Sequence, residues 1–101
     1  MIKFGIKTED WSAIIQAIKS EEKIQEIVLF GSRAKGNFRT GSDIDVALKG
    51  VNITLNDLIS ISARLDELEM PYKFDLVIFD RIQEPNLTDH IQRVGICLYQ
   101  R

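Results

Sequence analysis

Three short apolar runs, separated by stretches that we interpret as helices, constrain the fold of this chain more than any other feature. Each run has the length and composition of a strand buried in a sheet. The runs are Ile27–Phe30, Asp43–Leu48 and Lys73–Phe79. With a helix before the first run, a helix after the last and a short terminal strand at Ile96–Tyr99, helices and strands alternate. Such alternation predicts a layered α/β domain.

Capping and breaking residues bound the helical stretches. Thr8 can cap the first helix with its side chain. The longest helix is predicted over about residues 54–69 and is ended by Pro71. The last helix opens at Pro85 and stops at Gly95. The first helix presents an apolar stripe at the spacing i, i+3, i+4 and i+7, made of Trp11, Ile14, Ile15 and Ile18.

Length and charge limit the classes of protein to which the chain can belong. Its 101 residues predict one domain, residues 1–101. The formal net charge of −2 argues against broad non-specific nucleic-acid binding, which favours a basic domain. No apolar run approaches the roughly 18 residues of a membrane span and no signal-peptide pattern begins the chain, so we expect a cytoplasmic protein. The single cysteine, Cys97, excludes an internal disulfide and a cysteine-based metal cluster, and its apolar neighbours predict a buried structural thiol.

Three aspartates interrupt the apolar runs. Asp43 and Asp45 are two residues apart, so they share one face of a strand, and Asp75 lies inside the third run. If the two strands are neighbours, the three carboxylates can converge. Like charges about 4 Å apart repel by roughly 4 kcal/mol at an effective dielectric near 20. Such a cluster therefore either raises the pKa of a carboxylate or binds a cation.

Oxygen-only ligands select a hard cation, Mg²⁺ or Mn²⁺. Two such ions about 3.5–4 Å apart can clamp an in-line displacement at phosphorus. The alternative interpretation is purely structural. In that case Asp43 caps a strand end, Asp45 is exposed and Asp75 pairs with a lysine such as Lys73.

A small-residue turn precedes the aspartates by ten residues. Gly31 lets the backbone approach a phosphate closely, and Ser32 can donate its amide and its hydroxyl at the start of a short helix. Basic residues follow, which either contact phosphate or form a solvated basic face, and a serine just before Asp43 is expected to shape the loop rather than to react. The candidate nucleotide-binding residues are Gly31, Ser32, Arg33, Arg39 and Ser42.

The segments Phe30–Gly36 and Ser42–Ala47 together resemble the signature of the DNA polymerase β-like nucleotidyltransferase superfamily. The short length is similar to that of its minimal nucleotidyltransferase (MNT) proteins, and Asp75 fits the third carboxylate of the family. The resemblance implies a mixed sheet of three to four strands flanked by about four helices, in a nucleotidyltransferase fold. It also implies Mg²⁺ and ATP. It further implies a helical HEPN partner, with which many such short proteins act. In that pairing the HEPN protein is an RNase toxin, and the MNT protein is its antitoxin and transfers AMP onto a toxin tyrosine.

The resulting hypothesis is a Mg²⁺-dependent nucleotidyltransferase that moves AMP from ATP to a hydroxyl of a macromolecule, because one small core leaves no room for a second pocket. Gly31 and Ser32 hold the β and γ phosphates, Asp43 and Asp45 bind both metals, and Asp75 binds the catalytic metal and helps to deprotonate the acceptor. Two alternatives stay open. One is a catalytically silent antitoxin that only masks a HEPN partner, and the other is a transferase for a small molecule such as an antibiotic. The oligomeric state, homo- or hetero-oligomer, also stays open.

Overall fold

The computed structural model of the protein describes residues 1–101 and contains six strands, four α-helices and one turn of 3₁₀ helix at Phe79–Arg81. In chain order the elements are β1 (Ile2–Lys3), β2 (Ile6–Lys7), α1 (Thr8–Lys19), β3 (Ile24–Phe30), α2 (Gly31–Lys35), β4 (Ile44–Gly50), α3 (Leu55–Glu67), β5 (Phe74–Ile78), α4 (Pro85–Val94) and β6 (Ile96–Gln100). None of the helices is long and apolar enough to cross a membrane.

The central sheet has four strands in the order β5-β4-β3-β6. β3 runs antiparallel to both β4 and β6, whereas β4 and β5 are parallel and are joined through α3. A parallel pair needs such a crossover, because the chain must return to the end at which the first strand began. The sheet is therefore mixed, as the resemblance to nucleotidyltransferases implied. β1 and β2 form a separate two-stranded hairpin before α1.

The larger core lies on one face of the sheet, under α1 and α3. Its helix residues include Ile14, Ile18 and Ile61, each without exposed surface. They pack on alternate residues of the central strands, which are Ile27, Leu29, Ile44, Val46 and Leu48. Each fully buried side chain of this size contributes about 1.5–3 kcal/mol of hydrophobic stabilisation.

The opposite face of the sheet is covered by α4 and, beside it, by Phe79 and Ile82 of the 3₁₀ turn and its end. A small cluster of Val28, Phe30 and Ala47 packs there against Ile91 of α4. Pro85 is the first residue of this helix, and Gly95 follows its last turn in an extended conformation. The second face therefore has a small apolar centre, and the ends of its strands are left to polar side chains.

The α/β fold class and the predicted order of helices and strands are confirmed. Two details are wrong. Thr8 is the first helical residue rather than a side-chain cap, because its amide and hydroxyl both donate to the Met1 carbonyl within the hairpin, which was not predicted. Cys97 is exposed rather than buried, because it lies on the edge strand β6, on the face that α4 covers only in part.

Candidate active site

The first residues of β4 divide between the two faces of the sheet. Ile44 and Val46 are fully buried in the larger core, so the residues that alternate with them point to the α4 face. Asp45 is one of these and is half-buried, and Asp43, two residues earlier, is exposed. The backbone period of two thus brings both carboxylates to one face, as the sequence pattern predicted.

The third aspartate lies directly beside the other two. Asp45 and Asp75 are register partners in the parallel pair of β4 and β5, so their side chains leave the sheet on the same side. Val77, two residues after Asp75, packs on the α4-side cluster, which confirms that face. The structure therefore brings together all three acidic residues that we singled out, from two separate stretches of the chain.

The electrostatics of the cluster are unfavourable for three ionised carboxylates. Burial raises the pKa of Asp45, and the charges of Asp75 and Asp43 and a hydrogen bond with Asp75 raise it further, while the charge of Arg33 opposes the shift. No set of three or more His, Cys, Asp or Glu side chains closes on a point that a metal ion could occupy. The carboxylates share a face without forming a tight ligand cage. Their donor chemistry, oxygen only, fits a hard divalent cation that would neutralise them.

Gly31 directly follows β3, begins α2 and lies against the carboxylate of Asp45. Its φ is +74°, a conformation that glycine adopts without strain. A Cβ atom at this position would overlap a carboxylate oxygen of Asp45. The absence of a side chain therefore lets the turn between β3 and α2 approach the acidic cluster closely. Ser32 follows in the first turn of α2 and is half-buried.

Arg33 occupies a different position from the other basic residues. It is 3% exposed, and its guanidinium donates to two backbone carbonyls. Nε and Nη2 lie 3.2 and 2.8 Å from the Ser42 oxygen, and Nη1 lies 2.8 Å from the Phe4 oxygen. Arg39, by contrast, is exposed. We expected Arg33 to contact phosphate, but its guanidinium already donates hydrogen bonds to the protein backbone.

Ser42 shapes the loop in front of Asp43. Its hydroxyl accepts a hydrogen bond from the Arg39 amide at 2.8 Å, and its own amide donates to the Arg39 carbonyl. These two bonds close a turn over residues 39–42. Ser42 thereby fixes how the chain enters β4, which is the structural role that its position suggested.

Three aromatic residues make contacts near the site that the sequence did not indicate. Phe38 and Tyr72 lie beside the Arg33 guanidinium, with ring centres 5.1 and 5.9 Å from its carbon atom. Phe30, the register partner of Asp45 on β3, is packed edge to face by His90 of α4. No periodic pattern marks any of these contacts, since they join loops and helices that are distant in sequence.

Known proteins resemble this chain in sequence family and in fold. The family model described as "Polymerase beta, Nucleotidyltransferase" matches residues 12–101. Among solved structures, a toxin–antitoxin complex with AMP-PNP is similar over 90% of this chain and 73% of that chain, with 24% identity and a TM-score of 0.75. A toxin–antitoxin pair named MntA–HepT is similar over 94% and 74%, with 21% identity and a TM-score of 0.70.

A third structure is that of a tri-AMPylated Shewanella oneidensis HEPN toxin in complex with an MNT antitoxin. It covers 92% of this chain and 71% of the matching chain, at 21% identity and a TM-score of 0.70. At these identities the similarity shows a shared fold. No curated protein matches the chain at a significant level.

Proposed function

The chain belongs to the polymerase beta nucleotidyltransferase family, and on that premise we propose that it transfers AMP from ATP to a hydroxyl of a macromolecular acceptor. The observation that carries this proposal is the register pairing of Asp45 with Asp75, which puts three carboxylates on one face. Gly31 adds a close approach of the backbone beside them. A metal-dependent nucleotidyl transfer needs these two features side by side.

Each residue of the site has a proposed role. Asp43 and Asp45 would hold two divalent cations, Mg²⁺ or Mn²⁺, and Asp75 would hold one of them. Bound there, such ions neutralise phosphate charge and lower the pKa of a nearby hydroxyl. Gly31 and Ser32 bind the β and γ phosphates through backbone amides and the serine hydroxyl.

The reaction that we propose is an in-line displacement. The acceptor hydroxyl oxygen forms a bond to the α-phosphorus, while the bond from that phosphorus to its bridging oxygen breaks. Pyrophosphate leaves with the electron pair of that bond, and the hydroxyl proton passes to the carboxylate of Asp75. Most of the rate enhancement then comes from positioning and from fixed charges around the phosphates.

We further propose that the acceptor is a tyrosine of a HEPN toxin in the cytoplasm, so that the chain acts as an antitoxin. Support comes from fold neighbours that are toxin–antitoxin complexes, one of them with a tri-AMPylated HEPN toxin. On the carboxylate face of the central sheet, α4 is the helix that packs on the apolar cluster. A macromolecular acceptor could cover this open site with its own surface.

The test is transfer of label from α-labelled ATP, with Mg²⁺, to a HEPN toxin, the acceptor proposed above. We expect wild type to label a tyrosine of that protein and Asp45→Asn to leave it unlabelled. Asp66→Asn is the matched control, because Asp66 is an exposed aspartate of α3 outside the site, and it should label as wild type does. Equal labelling by wild type and Asp45→Asn, or none by wild type, contradicts the proposal.

A second candidate, an antitoxin that acts by binding alone, is favoured by exposed apolar side chains. Leu55 and Ile59 of α3 are 60% and 58% exposed, which is typical of surfaces that meet a partner. The two functions separate in cells that express the toxin. Protection that persists with Asp45→Asn at equal protein levels favours masking, and protection that is lost favours transfer.

A further inference from the structure

We propose that Arg33 is a positioning residue, which ties the loop in front of Asp43 to the N-terminal hairpin and thereby fixes the Asp43 carboxylate. The inference rests on the proposed function for its catalytic meaning. Its structural part, that the hairpin holds the loop through Arg33, stands independently of that function.

The loop between α2 and β4 has little structure of its own. Residues 36–43 contain no helix or strand. Their backbone amides form only the contacts of Gly36 and Asn37 with the Ser32 carbonyl and the turn at 39–42. Asp43 lies at the end of this loop, one residue before the sheet begins. Its position therefore depends on what holds the chain on either side of it.

Both peptide groups that flank Asp43 are held by other parts of the chain. On the C-terminal side, the Ile44 amide donates to the Lys73 carbonyl at 2.8 Å. On the N-terminal side, the Ser42 carbonyl accepts two hydrogen bonds from the Arg33 guanidinium. Two fixed neighbours determine the direction in which the Asp43 side chain leaves the backbone. Arg33 supplies one of these two restraints.

The N-terminal hairpin provides the second backbone carbonyl to which Arg33 donates. The Phe4 carbonyl, in the turn between β1 and β2, accepts from Nη1 at 2.8 Å. Gly5, the next residue, has a φ of +79°, and a Cβ atom there would overlap the Phe38 ring and lie 2.9 Å from Nη1 of Arg33. The hairpin turn thus closes directly over the guanidinium and over the loop.

The hairpin is itself anchored to the body of the protein. The indole Nε1 of Trp11 donates to the Lys3 carbonyl at 2.8 Å, and Ile6 is fully buried in the larger core. The amide and hydroxyl of Thr8 donate to the Met1 carbonyl. A rigid hairpin bound to α1 is therefore the fixed point from which Arg33 restrains the loop.

Burial argues against the simpler role of Arg33 as a phosphate ligand. All three of its nitrogen atoms donate to the Ser42 or Phe4 carbonyls, and the side chain is almost completely enclosed between Phe38 and Tyr72. Contact with a phosphate would break these bonds and take the guanidinium donors away from two half-buried carbonyls, at about 1–3 kcal/mol for each. A guanidinium held in this way acts on the site through the backbone that it fixes.

The two roles predict different kinetics for Arg33→Lys. A phosphate ligand is partly replaced by lysine, which binds phosphate as a point charge, and its loss raises KM for ATP. A positioning residue is not replaced, because one ammonium cannot hold the Ser42 carbonyl with two donors and reach Phe4 as well. We expect kcat to fall about 10²-fold, as for a displaced catalytic group, with KM for ATP changed by less than about threefold.

Gly5→Ala tests the same link without changing any side chain at the site. The added methyl group collides with Phe38 and Arg33, so we expect the same fall in kcat, and faster hydrogen exchange at the amides of residues 37–43. Gly36→Ala is the matched control, because Gly36 also has a positive φ, +88°, but an added Cβ atom meets nothing within 4 Å. Gly36→Ala therefore introduces backbone strain without a steric clash. Its kcat and its hydrogen exchange at residues 37–43 should stay near the wild-type values.

The outcomes separate this inference from the proposed function. Unchanged loop exchange in both Arg33→Lys and Gly5→Ala overturns the inference, and so does a raised KM with unchanged kcat in Arg33→Lys. If wild type transfers no AMP, the proposed function fails. In that case faster loop exchange together with weaker Mn²⁺ binding in Gly5→Ala supports the inference, and wild-type values overturn it. If Arg33→Lys does not fold, Gly5→Ala decides by the same measurements.

Discussion

The two faces of the central sheet carry opposite kinds of residue on the same strands. On the α1 and α3 face, Ile44 and Val46 of β4 are fully buried in an apolar core. On the α4 face, Asp43 and Asp45 alternate with them and meet Asp75 of β5. Successive residues of this one strand therefore face opposite sides of the sheet. One set contributes to the stable core and the other to the proposed reactive surface.

The comparison shows that the carboxylate face is the part of the fold that is energetically unfavourable. Apolar side chains on the core face gain from burial, whereas the carboxylates on the other face lose hydration and repel one another. The raised pKa of Asp45 records that cost. Stability comes from the core face, and the strain of the site is tolerated because that face compensates for it. The following predictions test this separation of roles, from the largest expected effect to the smallest.

Replacing Asp45 by asparagine should uncouple activity from stability. We expect AMP transfer to fall by about 10³-fold, because one of the fixed charges of the site is removed. Without divalent cations, the melting temperature at pH 7 should rise, because a half-buried charge and its repulsion with Asp43 and Asp75 are removed. Enzyme assays and thermal melts check both. A lower melting temperature at unchanged activity contradicts the assignment of Asp45 to the site.

Ile61→Ala tests the core face in the same way. The side chain is fully buried in α3, so we expect the free energy of unfolding to fall by about 3 kcal/mol through lost burial and a cavity. Ile59→Ala is the control, because Ile59 lies on the same helix with 58% exposure and should change stability by less than about 0.5 kcal/mol. Urea unfolding measures both. Similar losses in the two variants would contradict the position of the core.

Gly31→Ala and Gly36→Ala compare a glycine that touches the acidic cluster with one that does not. Both have positive φ, +74° and +88°, so each alanine should cost about 1–2 kcal/mol of stability. Only the Gly31 methyl group overlaps the Asp45 carboxylate, so only Gly31→Ala should also lose nucleotide binding. Calorimetric titration with an ATP analogue separates them. Equal nucleotide affinities in the two variants would show that the close approach has no role.

Acid should act on the two sides of the sheet with opposite sign. At the start of α3, Lys23 first, and then the Thr54 amide, hold the pKa of Asp57 far below its ordinary value of about 3.9. A depressed carboxyl pKa stabilises the folded state above pH 4, and this contribution is lost as the pH falls further. Asp45, whose pKa is raised, gains stability as the pH falls.

We therefore expect Asp57→Asn to reduce the loss of stability that wild type shows as the pH falls below 4. We expect Asp45→Asn to remove the gain in stability that wild type shows at higher pH, as the pH falls toward 4. Urea unfolding of both variants and wild type across pH 3–7, without divalent cations, measures the two slopes. Parallel pH profiles for Asp57→Asn and wild type would mean that the contact of Asp57 with Lys23, 2.9 Å long, carries no stability.

The sequence was sufficient for the parts of the molecule that follow from short-range periodicity. Alternation along Asp43–Leu48 predicted that Asp43 and Asp45 share one face of a strand, and the apolar setting of Asp75 predicted its strand. The facing of Asp75 toward Asp45 followed only if the two strands were neighbours, and their register confirms it. The period of two along a strand determines which side chains share a face of the sheet. Side chains on the same face of neighbouring strands then lie close together.

The N-terminal hairpin and the surroundings of Arg33 could not be predicted in this way. β1 and β2 have two residues each, too few for a periodic signal. The bond from Arg33 to the Phe4 carbonyl joins residues 29 apart and involves a backbone oxygen, whose availability no side chain reveals. Exposure of a residue on an edge strand, as for Cys97, likewise depends on the order of strands, which local sequence does not determine.

The central claim is that Asp43, Asp45 and Asp75 together hold divalent cations beside the nucleotide. Mn²⁺ binding followed by electron paramagnetic resonance, with a non-hydrolysable ATP analogue present, tests it most directly in wild type, the three single Asp→Asn variants and the Asp66→Asn control. We predict that each site variant weakens Mn²⁺ binding by more than about tenfold, while the control binds as wild type does. Wild-type affinity in Asp75→Asn would contradict the account, because the aspartate that β5 brings into register would then take no part in the site.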